Sequence, residues 1–397
     1  MNLILLFGAS GDIHKRKVYP GLFEMYMQDI IKTEFPIYTN LKSLNQINDE
    51  EEKKNNFQVI GISRTKYTQT EYHEIIEKSI EDYFPKRNFS ILLKNMGNFK
   101  KLFRYISLPD YNDTNEYLNI KSKISNENIN QNINQNINQI IIYCGLPDKV
   151  SINVIKNIMN TNFQDSYKLK FLVEKPLGNN LNEYSQHMNE IKELLGDNID
   201  SLKLIDHYLA KTSILHLKPI KQLNSYHQLK KIEIILYETY LVDNRISYFD
   251  KVGLINDVFQ SHMMSIFDKL IDKEYHLINL PITDKGERGQ YNKYSGDKNT
   301  ETYFKFSITW NDIPIIFKSG KKMSHNDKSI KFYLKDDTCV EYPILSKQNE
   351  YYIMFKSVID NDKNQNQYFL NEKQNELFWC ITSLIKDNLS NKKLFIY

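Results

Sequence analysis

The sequence predicts two domains, an α/β domain with a parallel sheet followed by an α+β domain with a mainly antiparallel sheet. In the first half, short apolar runs rich in β-branched and aromatic residues alternate with amphipathic segments, a pattern typical of strands buried on both faces. In the second half the strand-like runs follow one another with few helices between them, which favours antiparallel pairing with one covered face. With 397 residues, 41% of them hydrophobic, the chain can bury two cores.

The apolar runs place the individual elements. The first-half strands are predicted at residues 3–7, 57–62, 102–106, 140–143, 171–173 and 202–205, with amphipathic helices such as 71–84 and 181–195 between them. The second-half strands are predicted at residues 230–238, 302–310, 314–318, 328–334 and 340–344. The change in pattern sets the domain boundary near residue 204, which gives domains of residues 1–203 and 204–397.

Two polar stretches interrupt these elements. Residues 126–139 read NENINQNINQNINQ, and residues 45–56 are similarly polar. Asn and Gln bury little apolar surface and disfavour the interiors of helices and sheets. We therefore expect the first stretch to be a solvated insertion before the strand at 140 and the second to be a loop extension.

Composition excludes several classes of protein. A net charge of +3 gives no general attraction to nucleic acid or to membranes. The cysteines Cys144, Cys339 and Cys380 are widely scattered, so we predict buried thiols in a reducing compartment and no metal site. The apolar run at residues 3–7 is too short for a secretion signal, and no run is long enough to span a bilayer. These features predict a cytoplasmic location.

A glycine-containing turn follows the first strand. Gly8 permits a tight turn, and Gly11 permits close approach of the backbone to a pyrophosphate. The helix that begins near Asp12 directs its N–H groups and its positive dipole end towards that phosphate. His14 stands where a third small residue is usual, so the packing of helix on strand is expected to be looser or differently arranged. The turn predicts a Rossmann-like dinucleotide site, and the alternative is an ordinary strand-to-helix turn.

The end of the second strand indicates which dinucleotide binds. Enzymes that use NAD usually carry an acidic residue there, whereas this strand, FQVIGISRT, ends at Arg64. A guanidinium can bind a 2′-phosphate through two hydrogen bonds. The sequence therefore favours NADP, although a solvated surface arginine remains the alternative.

Two motifs lie at the ends of the last two strands of the first domain. FLVEKPLG contains Lys175, and LIDHYLAKT contains Asp206, His207, Tyr208 and Lys211. Ligands of open α/β sheets bind outside the carboxyl ends of the strands, where both motifs are predicted to lie. A histidine, a tyrosine hydroxyl and a lysine at one place predict a phosphate-monoester site. The alternative is a helix N-terminus with a hydrogen-bonded histidine.

A third motif, NDVFQSHMMSIF, predicts a mainly apolar helix with three polar residues, Asp257, Gln260 and His262. A histidine in apolar surroundings that is paired with a carboxylate suits general-base catalysis near neutral pH. A hydrogen-bonded histidine in the protein core is the alternative for this motif by itself.

Taken together, the segments GASGDIHKRKVYP, VEKPLG, IDHYLAK and NDVFQSH resemble four signature stretches of the glucose-6-phosphate dehydrogenase family, in the same order. WNDIPIIFKSGKKM is a weaker fifth match, and RGQY and the segment LFIY are also similar to the family. The resemblance covers most of the chain, with large gaps. IDHYLAK is its most specific motif, and the order of all five motifs decides the assignment.

This resemblance implies roles for individual residues. The pyrophosphate of NADP would be bound by Gly8, Ser10, Gly11 and Asp12, and its 2′-phosphate by Arg64. Lys175 would lie between nicotinamide and sugar and contact the reacting oxygen. The 6-phosphate would be held by His207, Tyr208, Lys211 and Lys321. The sugar hydroxyls would be bound by Glu238 and Asp257.

The resemblance also implies a reaction, the oxidation of glucose 6-phosphate to 6-phosphogluconolactone with hydride transfer to NADP. His262 would take the hydroxyl proton, and Asp206 would fix the imidazole tautomer and stabilise the imidazolium. Lys175 would stabilise the charge that develops on the oxygen. This reaction is the first oxidative step of the pentose phosphate pathway.

Several questions stay open at the level of sequence. The family has a basic residue a few positions after Lys321, where Asn326 stands in this chain. Family members usually assemble through the sheet of the second domain, so we expect a homodimer through that sheet. Two alternatives to the proposed activity remain, a related hexose-phosphate dehydrogenase and a catalytically silent NADP-binding regulatory protein.

Overall fold

The computed structural model describes residues 1–27, 57–84, 89–130, 137–242, 245–279 and 286–397. The chain divides into two compact units. The first comprises Met1–Lys175, Gln186–Ile205 and Lys347–Leu370, and the second comprises Pro176–Ser185, Asp206–Ser346 and Asn371–Tyr397. Each unit is therefore built from three segments, whereas the sequence pattern predicts one continuous range for each domain, 1–203 or 204–397. The polar stretch at 45–56 lies outside the described residues.

The strands of the described residues are, in chain order, β1 (Asn2–Phe7), β2 (Phe57–Ser63), β3 (Phe103–Ser107), β4 (Gln139–Cys144), β5 (Lys168–Glu174), β6 (Leu202–Ile205), β7 (Leu229–Tyr237), β8 (Ile278–Asn279), β9 (Glu287–Gln290), β10 (Tyr303–Trp310), β11 (Ile313–Gly320), β12 (Asp327–Leu334), β13 (Cys339–Pro343), β14 (Phe369–Leu370) and β15 (Phe395–Ile396). Each strand predicted from the sequence corresponds to one of these, with bounds that differ by a few residues.

The α-helices of the described residues are Tyr19–Tyr26, Gln69–Tyr83, Phe89–Lys100, Thr114–Asn130, Asp148–Asn160, Leu181–Leu195, Thr212–Leu215, Ile246–Leu254, Met264–Ile271, Glu350–Ile359 and Glu372–Ser390. Two segments are π-helical, His14–Val18 and Ile255–Met263. The 3₁₀ turns are Phe163–Asp165, Gly196–Ser201, His207–Ala210, Ile220–Gln222, Tyr226–Gln228, Tyr275–Leu277 and Gln365–Tyr368.

The sheet of the first unit has the strand order β14-β6-β5-β4-β1-β2-β3, with β14 antiparallel to β6 and the other neighbours parallel. β1 and β4 are buried at every position, as expected for the central strands of a covered parallel sheet. The strand order reverses between β1 and β4, which opens a crevice at their carboxyl ends. The predicted Rossmann-like architecture is confirmed.

The segment Lys347–Leu370 joins the first unit although it follows most of the second along the chain. The hydroxyl of Tyr351 donates to Glu174 Oε1 at 2.6 Å, and Gln139 Nε2 donates to the carbonyl of Val358 at 3.0 Å. These buried contacts, together with the pairing of β14 with β6, fix the segment to the parallel sheet. A single domain boundary near residue 204 could not represent this return of the chain.

The Asn-rich stretch at 126–139 is only partly described. The helix Thr114–Asn130 continues through its first five residues, although asparagine disfavours helix interiors. Ile120 and Ile124 are buried four residues apart on that helix, which ties it to the core just before the polar stretch begins. Residues 131–136 lie outside the described part of the chain.

The sheet of the second unit has the order β13-β12-β7-β11-β10-β9-β15, and β8 also pairs with β10. Its neighbours are antiparallel except for the pairs β7–β11 and β9–β15, which confirms a mainly antiparallel sheet. Burial alternates along β10, so one face of the sheet is packed and the other is more open. On the packed face, the ring of Phe259 lies 4.8 Å from Phe306 and 5.0 Å from Phe317.

Those contacts hold the π-helical segment Ile255–Met263 against the packed face of the sheet.

Within the described parts of the chain, no helix combines the length and the apolar character that crossing a membrane requires.

Candidate active site

The turn after β1 requires glycine at two positions. Gly8 has a φ of 85°, and a Cβ there would lie 2.6 Å from the carbonyl oxygen of Gly145. Gly11 donates its N–H to the carbonyl of Gly8 at 2.7 Å, and a Cβ on Gly11 would lie 2.9 Å from that oxygen. Gly8 also donates to the carbonyl of Ile62 at 2.9 Å. The close turn expected from the sequence is therefore present and excludes larger residues.

A helix begins at Asp12, directly after this turn, so that its first N–H groups lie beside the turn. The Asp12 carboxylate forms an ion pair with Arg16, and both side chains are exposed. Ser10 lies between the two glycines and is partly exposed. The four residues predicted to bind the pyrophosphate thus form one short segment of the first unit.

His14 is fully buried behind the turn. A Cβ on Gly145 would lie only 2.5 Å from Cε1 of His14, and the ring packs edge-on against Tyr143 at 5.1 Å. Neither ring nitrogen has a hydrogen-bond partner among the described residues. Burial lowers the pKa of His14 to about 3, so the ring is neutral at physiological pH. The usual small residue would leave space between helix and strand. Here the ring of His14 is accommodated because position 145 is glycine and because the turn His14–Val18 is π-helical.

Arg64 directly follows β2 and is exposed. In the register of the sheet Phe7 lies opposite Ile62, so the glycine turn and Arg64 lie at the same edge. Tyr111, which the sequence analysis did not identify, belongs to the same place. Burial raises the pKa of Tyr111 to about 12, against the opposing effects of a hydrogen bond with the Gly8 backbone and the charge of Arg64. No motif marks this tyrosine, because it lies beyond the end of β3.

Lys175 follows β5 directly and is partly buried. Glu174, the last residue of that strand, accepts hydrogen bonds from the hydroxyls of Tyr143 at 2.9 Å and Tyr351 at 2.6 Å. Two buried tyrosines therefore fix the chain one residue before Lys175. This arrangement sets the point from which the lysine side chain leaves the sheet.

Asp206 and His262 form a buried pair in the second unit. Nδ1 of His262 lies 2.7 Å from Oδ1 of Asp206, and the hydroxyl of Ser265 donates to Oδ2 at 2.7 Å. The backbone N–H of Tyr208 donates to Oδ1 at 3.0 Å, so Asp206 also caps the 3₁₀ turn His207–Ala210. Burial by itself raises the pKa of Asp206, but its histidine neighbours and hydrogen bonds outweigh burial and hold that pKa well below the ordinary value.

His262 lies on the π-helical segment Ile255–Met263 rather than on a regular α-helix. Hydrogen bonds in a π-helix join residues five apart, and such segments are frequent at functional sites. The N–H of Met264 reaches the carbonyl of Phe259, five residues earlier. Asp257, five residues before His262, therefore lies on nearly the same face of the helix. Ser261, which directly precedes His262, donates its hydroxyl to the carbonyl of Asp257 at 3.0 Å.

Aromatic stacking joins His262 to the IDHYLAK motif. The Tyr208 ring stacks on His262 at 4.2 Å, and the His207 ring meets His262 edge-on at 4.6 Å. The ammonium of Lys211 lies over the Tyr208 ring, 4.8 Å from its centre. The motif is not one continuous helix, because Lys211 is extended between the 3₁₀ turn and the helix Thr212–Leu215. The lysine therefore reaches the cluster across the tyrosine ring and not by helical spacing.

A second cluster joins three charged residues at the ends of β7, β11 and β12. Nζ of Lys321 lies 2.5 Å from Oε2 of Glu238, and Nζ of Lys328 lies 3.0 Å from Oε1. Burial raises the pKa of Glu238, but the two lysines outweigh it and lower that pKa to about 2. Lys328 was not predicted. Asn326, which stands where a basic residue was expected, accepts the N–H of Thr239 instead.

The structure thus groups most of the predicted residues into three sets, and Asp257 lies on the same π-helical segment as His262. The first unit carries the glycine turn with Arg64, and also Lys175. In the second unit, stacking and hydrogen bonds join Asp206, His207, Tyr208, Lys211 and His262. Ion pairs join Glu238 to Lys321 and to the unpredicted Lys328.

The aspartate and the two histidines also meet a geometric criterion for a metal site. Ligand atoms of Asp206, His207 and His262 lie within 4.8 Å of one another. Both oxygens of Asp206 already accept hydrogen bonds, and the side chain is fully buried. A carboxylate committed in this way suits the orientation of a base better than the coordination of a cation.

Comparison with known proteins gives concordant results. Residues 5–53 and 39–215 match the family described as "Glucose-6-phosphate dehydrogenase, NAD binding domain", and residues 219–271 match its C-terminal domain. Among curated relatives, glucose-6-phosphate 1-dehydrogenase 6, cytoplasmic, of Arabidopsis thaliana is 25% identical over 84% of this chain and 66% of its own length. The chloroplastic enzyme of Spinacia oleracea is 23% identical over 81% of this chain and 58% of its own length.

A solved structure supports the same fold. A glucose-6-phosphate dehydrogenase in complex with its substrate glucose-6-phosphate aligns with a TM-score of 0.77 at 18% identity, over 100% of this chain and 94% of that one. The chain therefore spans nearly all of this structural relative but less than two thirds of some plant relatives, including the spinach enzyme.

Proposed function

Because the chain belongs to the glucose-6-phosphate dehydrogenase family, we propose that it oxidises glucose 6-phosphate to 6-phosphogluconolactone, with NADP as hydride acceptor. The observation that carries this proposal is the buried pair of Asp206 and His262, 2.7 Å apart, in contact with Tyr208 of the IDHYLAK motif. This pair is a base with its orienting carboxylate, placed beside groups that bind phosphate.

Oxidation at C1 of the sugar removes a proton from the hydroxyl and a hydride from the carbon. The carboxylate of Asp206 holds Nδ1 of His262 as the protonated nitrogen, so Nε2 takes the hydroxyl proton. As the imidazolium forms, the negative charge of Asp206 stabilises it without taking its proton. The lowered pKa of Asp206 supports this role, because the carboxylate stays ionised throughout the pH range of an assay.

The 6-phosphate is bound by His207, Tyr208 and Lys211, with Lys321 from the second cluster. Glu238 has one negative charge for the two ammonium groups of Lys321 and Lys328, so this cluster keeps a net positive charge for the phosphate. Binding energy from the phosphate orients the distant C1 for reaction.

The sugar hydroxyls are bound by the carboxylates of Glu238 and Asp257. Lys175 stabilises the charge that develops on the reacting oxygen. Both carboxylates belong to the second unit, and Lys175 directly follows β5 in the first unit.

The glycine turn fits a dinucleotide. A Cβ at Gly8 or Gly11 would fill the turn, and the helix that starts at Asp12 offers its N–H groups to a pyrophosphate. Ser10 lies between the glycines, and Arg64 is exposed at the same edge for a 2′-phosphate. Lys175 would contact both the nicotinamide and the sugar. When bound, NADP supplies an acceptor for the hydride from C1.

The decisive test is an assay of NADP reduction by the purified protein, with glucose 6-phosphate, other hexose phosphates and unphosphorylated glucose compared under NADP and NAD. We expect the highest kcat/KM with glucose 6-phosphate and NADP, and a loss of about 100-fold or more in kcat for His262→Asn. His276→Asn, at an exposed histidine of the same unit, is the matched control and should retain wild-type rates.

Each alternative has its own outcome in this assay. Preference for another hexose phosphate would indicate a related dehydrogenase. Binding of NADP without turnover of any sugar phosphate would indicate a regulatory protein and would refute the proposed activity. Wild-type rates in His262→Asn would refute the assignment of the base alone.

A homodimer through the sheet of the second unit is part of the same proposal. The face of this sheet opposite the helices carries Glu233, which pairs with Lys231 and Lys318 and is only 4% exposed. The ground for the dimer is the family resemblance, since family members usually assemble through this sheet. Light scattering on the eluted protein should give about twice the chain mass of 47.2 kDa, and the single mass would contradict the proposal.

We also place the protein in the cytoplasm, since its three cysteines are widely scattered. Cys144 is buried as predicted, but Cys339 is exposed and Cys380 is partly exposed, so the prediction of buried thiols is wrong for these two. The names of relatives include both cytoplasmic and chloroplastic enzymes, so localisation needs its own test. A fluorescent fusion in the source cell should give a diffuse cytoplasmic signal, and a signal confined to an organelle would contradict this placement.

A further inference from the structure

The backbone of Tyr397 is fixed on both sides. β15 pairs in parallel with β9, and the N–H of Tyr397 donates to the carbonyl of Gln290 at 3.1 Å. The N–H of Asn292 donates to the carbonyl of Tyr397 at 2.7 Å. The tyrosine ring also lies 5.7 Å from the ring of Tyr303. These contacts hold the side chain of Tyr397 in one direction.

The hydroxyl of Tyr397 lies in a chain of hydrogen bonds that ends on Lys321. The N–H of Tyr291 donates to Oγ1 of Thr302 at 2.9 Å, and Oγ1 lies 3.0 Å from the Tyr397 oxygen. That oxygen lies 2.7 Å from the carbonyl of Lys321 and 3.0 Å from the carbonyl of Thr302. A hydroxyl has a single proton, and the shorter distance directs it to Lys321. The Thr302 hydroxyl then donates to Tyr397.

The main chain of Lys321 is therefore held at both of its polar groups. Its N–H donates to the carbonyl of Thr302 at 2.9 Å, and its carbonyl accepts from Tyr397. Thr302 is fully buried, so this anchor is shielded from solvent. Burial raises the pKa of Tyr397 to about 12, which keeps the hydroxyl protonated and able to donate. At the other end of the side chain, the ammonium of Lys321 is held by Glu238.

We infer that Tyr397 is a positioning residue for the substrate phosphate, because it fixes the main chain from which the ammonium of Lys321 reaches that phosphate. This inference rests on the proposed function. A lysine side chain has many rotamers, and its charge binds a phosphate well only when its starting point is fixed. Loss of the Tyr397 hydroxyl should weaken phosphate binding while the base and the cofactor turn remain intact.

The test is Tyr397→Phe, which removes the hydroxyl and keeps the ring. We expect the KM for glucose 6-phosphate and the inhibition constant of inorganic phosphate to rise together by about fivefold, the effect of one net hydrogen bond. kcat, the KM for NADP and kcat/KM for unphosphorylated glucose should stay within about twofold of wild type, since none of them depends on the phosphate. If the role of Tyr397 were purely structural, Tyr397→Phe would lower thermal stability without a selective rise in the KM for glucose 6-phosphate.

The matched control is Tyr184→Phe. The hydroxyl of Tyr184 also donates to a main-chain carbonyl, that of Glu372, at 2.9 Å, and it belongs to the same unit. This variant should lose similar stability and keep the KM for glucose 6-phosphate. An equal rise in KM in both variants would overturn the inference.

A double-mutant cycle with Lys321→Met tests whether the effect passes through the lysine. In that background, Tyr397→Phe should raise KM no further, because the positioned group is absent. Independent effects in the double variant would overturn the inference. Thr302→Val, which interrupts the same chain of hydrogen bonds, should reproduce the selective rise if Tyr397→Phe does not fold.

Failure of the proposed function can be recognised separately. If the wild-type protein turns over no sugar phosphate, the activity is refuted, and calorimetric titration with inorganic phosphate still tests the anchor. Weaker phosphate binding in Tyr397→Phe than in the wild type would support the positioning role. Equal binding in the two proteins, or no binding by either, would overturn it.

Discussion

The carboxylate of Asp206 is fully buried, and its Oδ1 lies 2.7 Å from Nδ1 of His262. The two residues are 56 positions apart in the sequence and belong to different motifs. Asp206 directly follows β6, and His262 lies on a π-helical segment packed against the second sheet. Their contact gives a carboxylate partner to a histidine that the sequence alone could equally place in the protein core, and it supports the proposal that His262 is the base.

Asp206→Asn tests the carboxylate of this pair. The amide keeps the shape of the side chain but lacks its charge, so it cannot stabilise the imidazolium of His262. We expect kcat to fall by about 100-fold or more while the affinity for NADP, measured by fluorescence titration, is retained. Ser265→Ala removes only the hydrogen bond to Oδ2 and should cost less than about tenfold. A kcat for Asp206→Asn within threefold of wild type would show that the pair is not catalytic.

Arg64→Asp tests the choice of cofactor. Reversal of the charge beside the 2′-phosphate should raise the KM for NADP by about tenfold or more, with kcat/KM for NAD unchanged or improved. Lys66→Asp makes the same change of charge at an exposed position two residues away and serves as the control. Both variants are measured with each cofactor at saturating sugar phosphate. An equal loss of NADP preference in both variants would show only a general electrostatic effect.

His14 predicts a specific loss of stability in acid. In the unfolded chain its pKa is near the ordinary 6.5, and in the folded protein burial lowers it to about 3. Between these values only the unfolded chain binds the proton, so the free energy of unfolding falls as pH decreases, by about 1.4 kcal/mol per pH unit. The free energy of unfolding is measured by urea titration at a series of pH values from 6.5 to 3. In His14→Ala it should fall less steeply with decreasing pH, because the contribution of His14 is absent. His227→Ala, at an exposed histidine, should keep the wild-type slope.

The buried carboxyl group of Glu24 predicts a loss of stability as the pH rises. Burial raises its pKa from 4.5 to about 7, against the opposing hydrogen bond from the N–H of Asn349, and Glu350 adds to the rise. As pH rises from 4.5 to 7, only the unfolded chain loses the proton, so wild-type stability declines.

Glu24→Gln keeps the acceptor for Asn349 and removes the titration. It should match wild type near pH 4 and exceed it at pH 8 by about 3 kcal/mol in the free energy of unfolding. Glu74→Gln, at an exposed position, is the control and should show no such divergence. Equal stability of Glu24→Gln and wild type at pH 8 would contradict the prediction.

By itself, the sequence determined the longer strands of both sheets, the glycine turn and the motifs of the site, but not the short strands β8, β9, β14 and β15. These features are local, because side-chain periodicity and the backbone freedom of glycine act over a few residues. Gly8 shows this directly, since its φ of 85° belongs to the single turn that the sequence pattern predicts. The helix Leu181–Leu195 has the bounds that its pattern predicts, for the same reason.

Only the tertiary structure decided which distant residues complete each feature. Gly145 makes room for His14, Ser265 fixes the second oxygen of Asp206, and Lys328 joins Lys321 at Glu238. Such contacts depend on strand order, register and the packing of helices on sheets, which leave no pattern in nearby residues. The Tyr397 hydroxyl meets the carbonyl of Lys321, 76 residues away, because β15 adds to the edge of the second sheet beside β9.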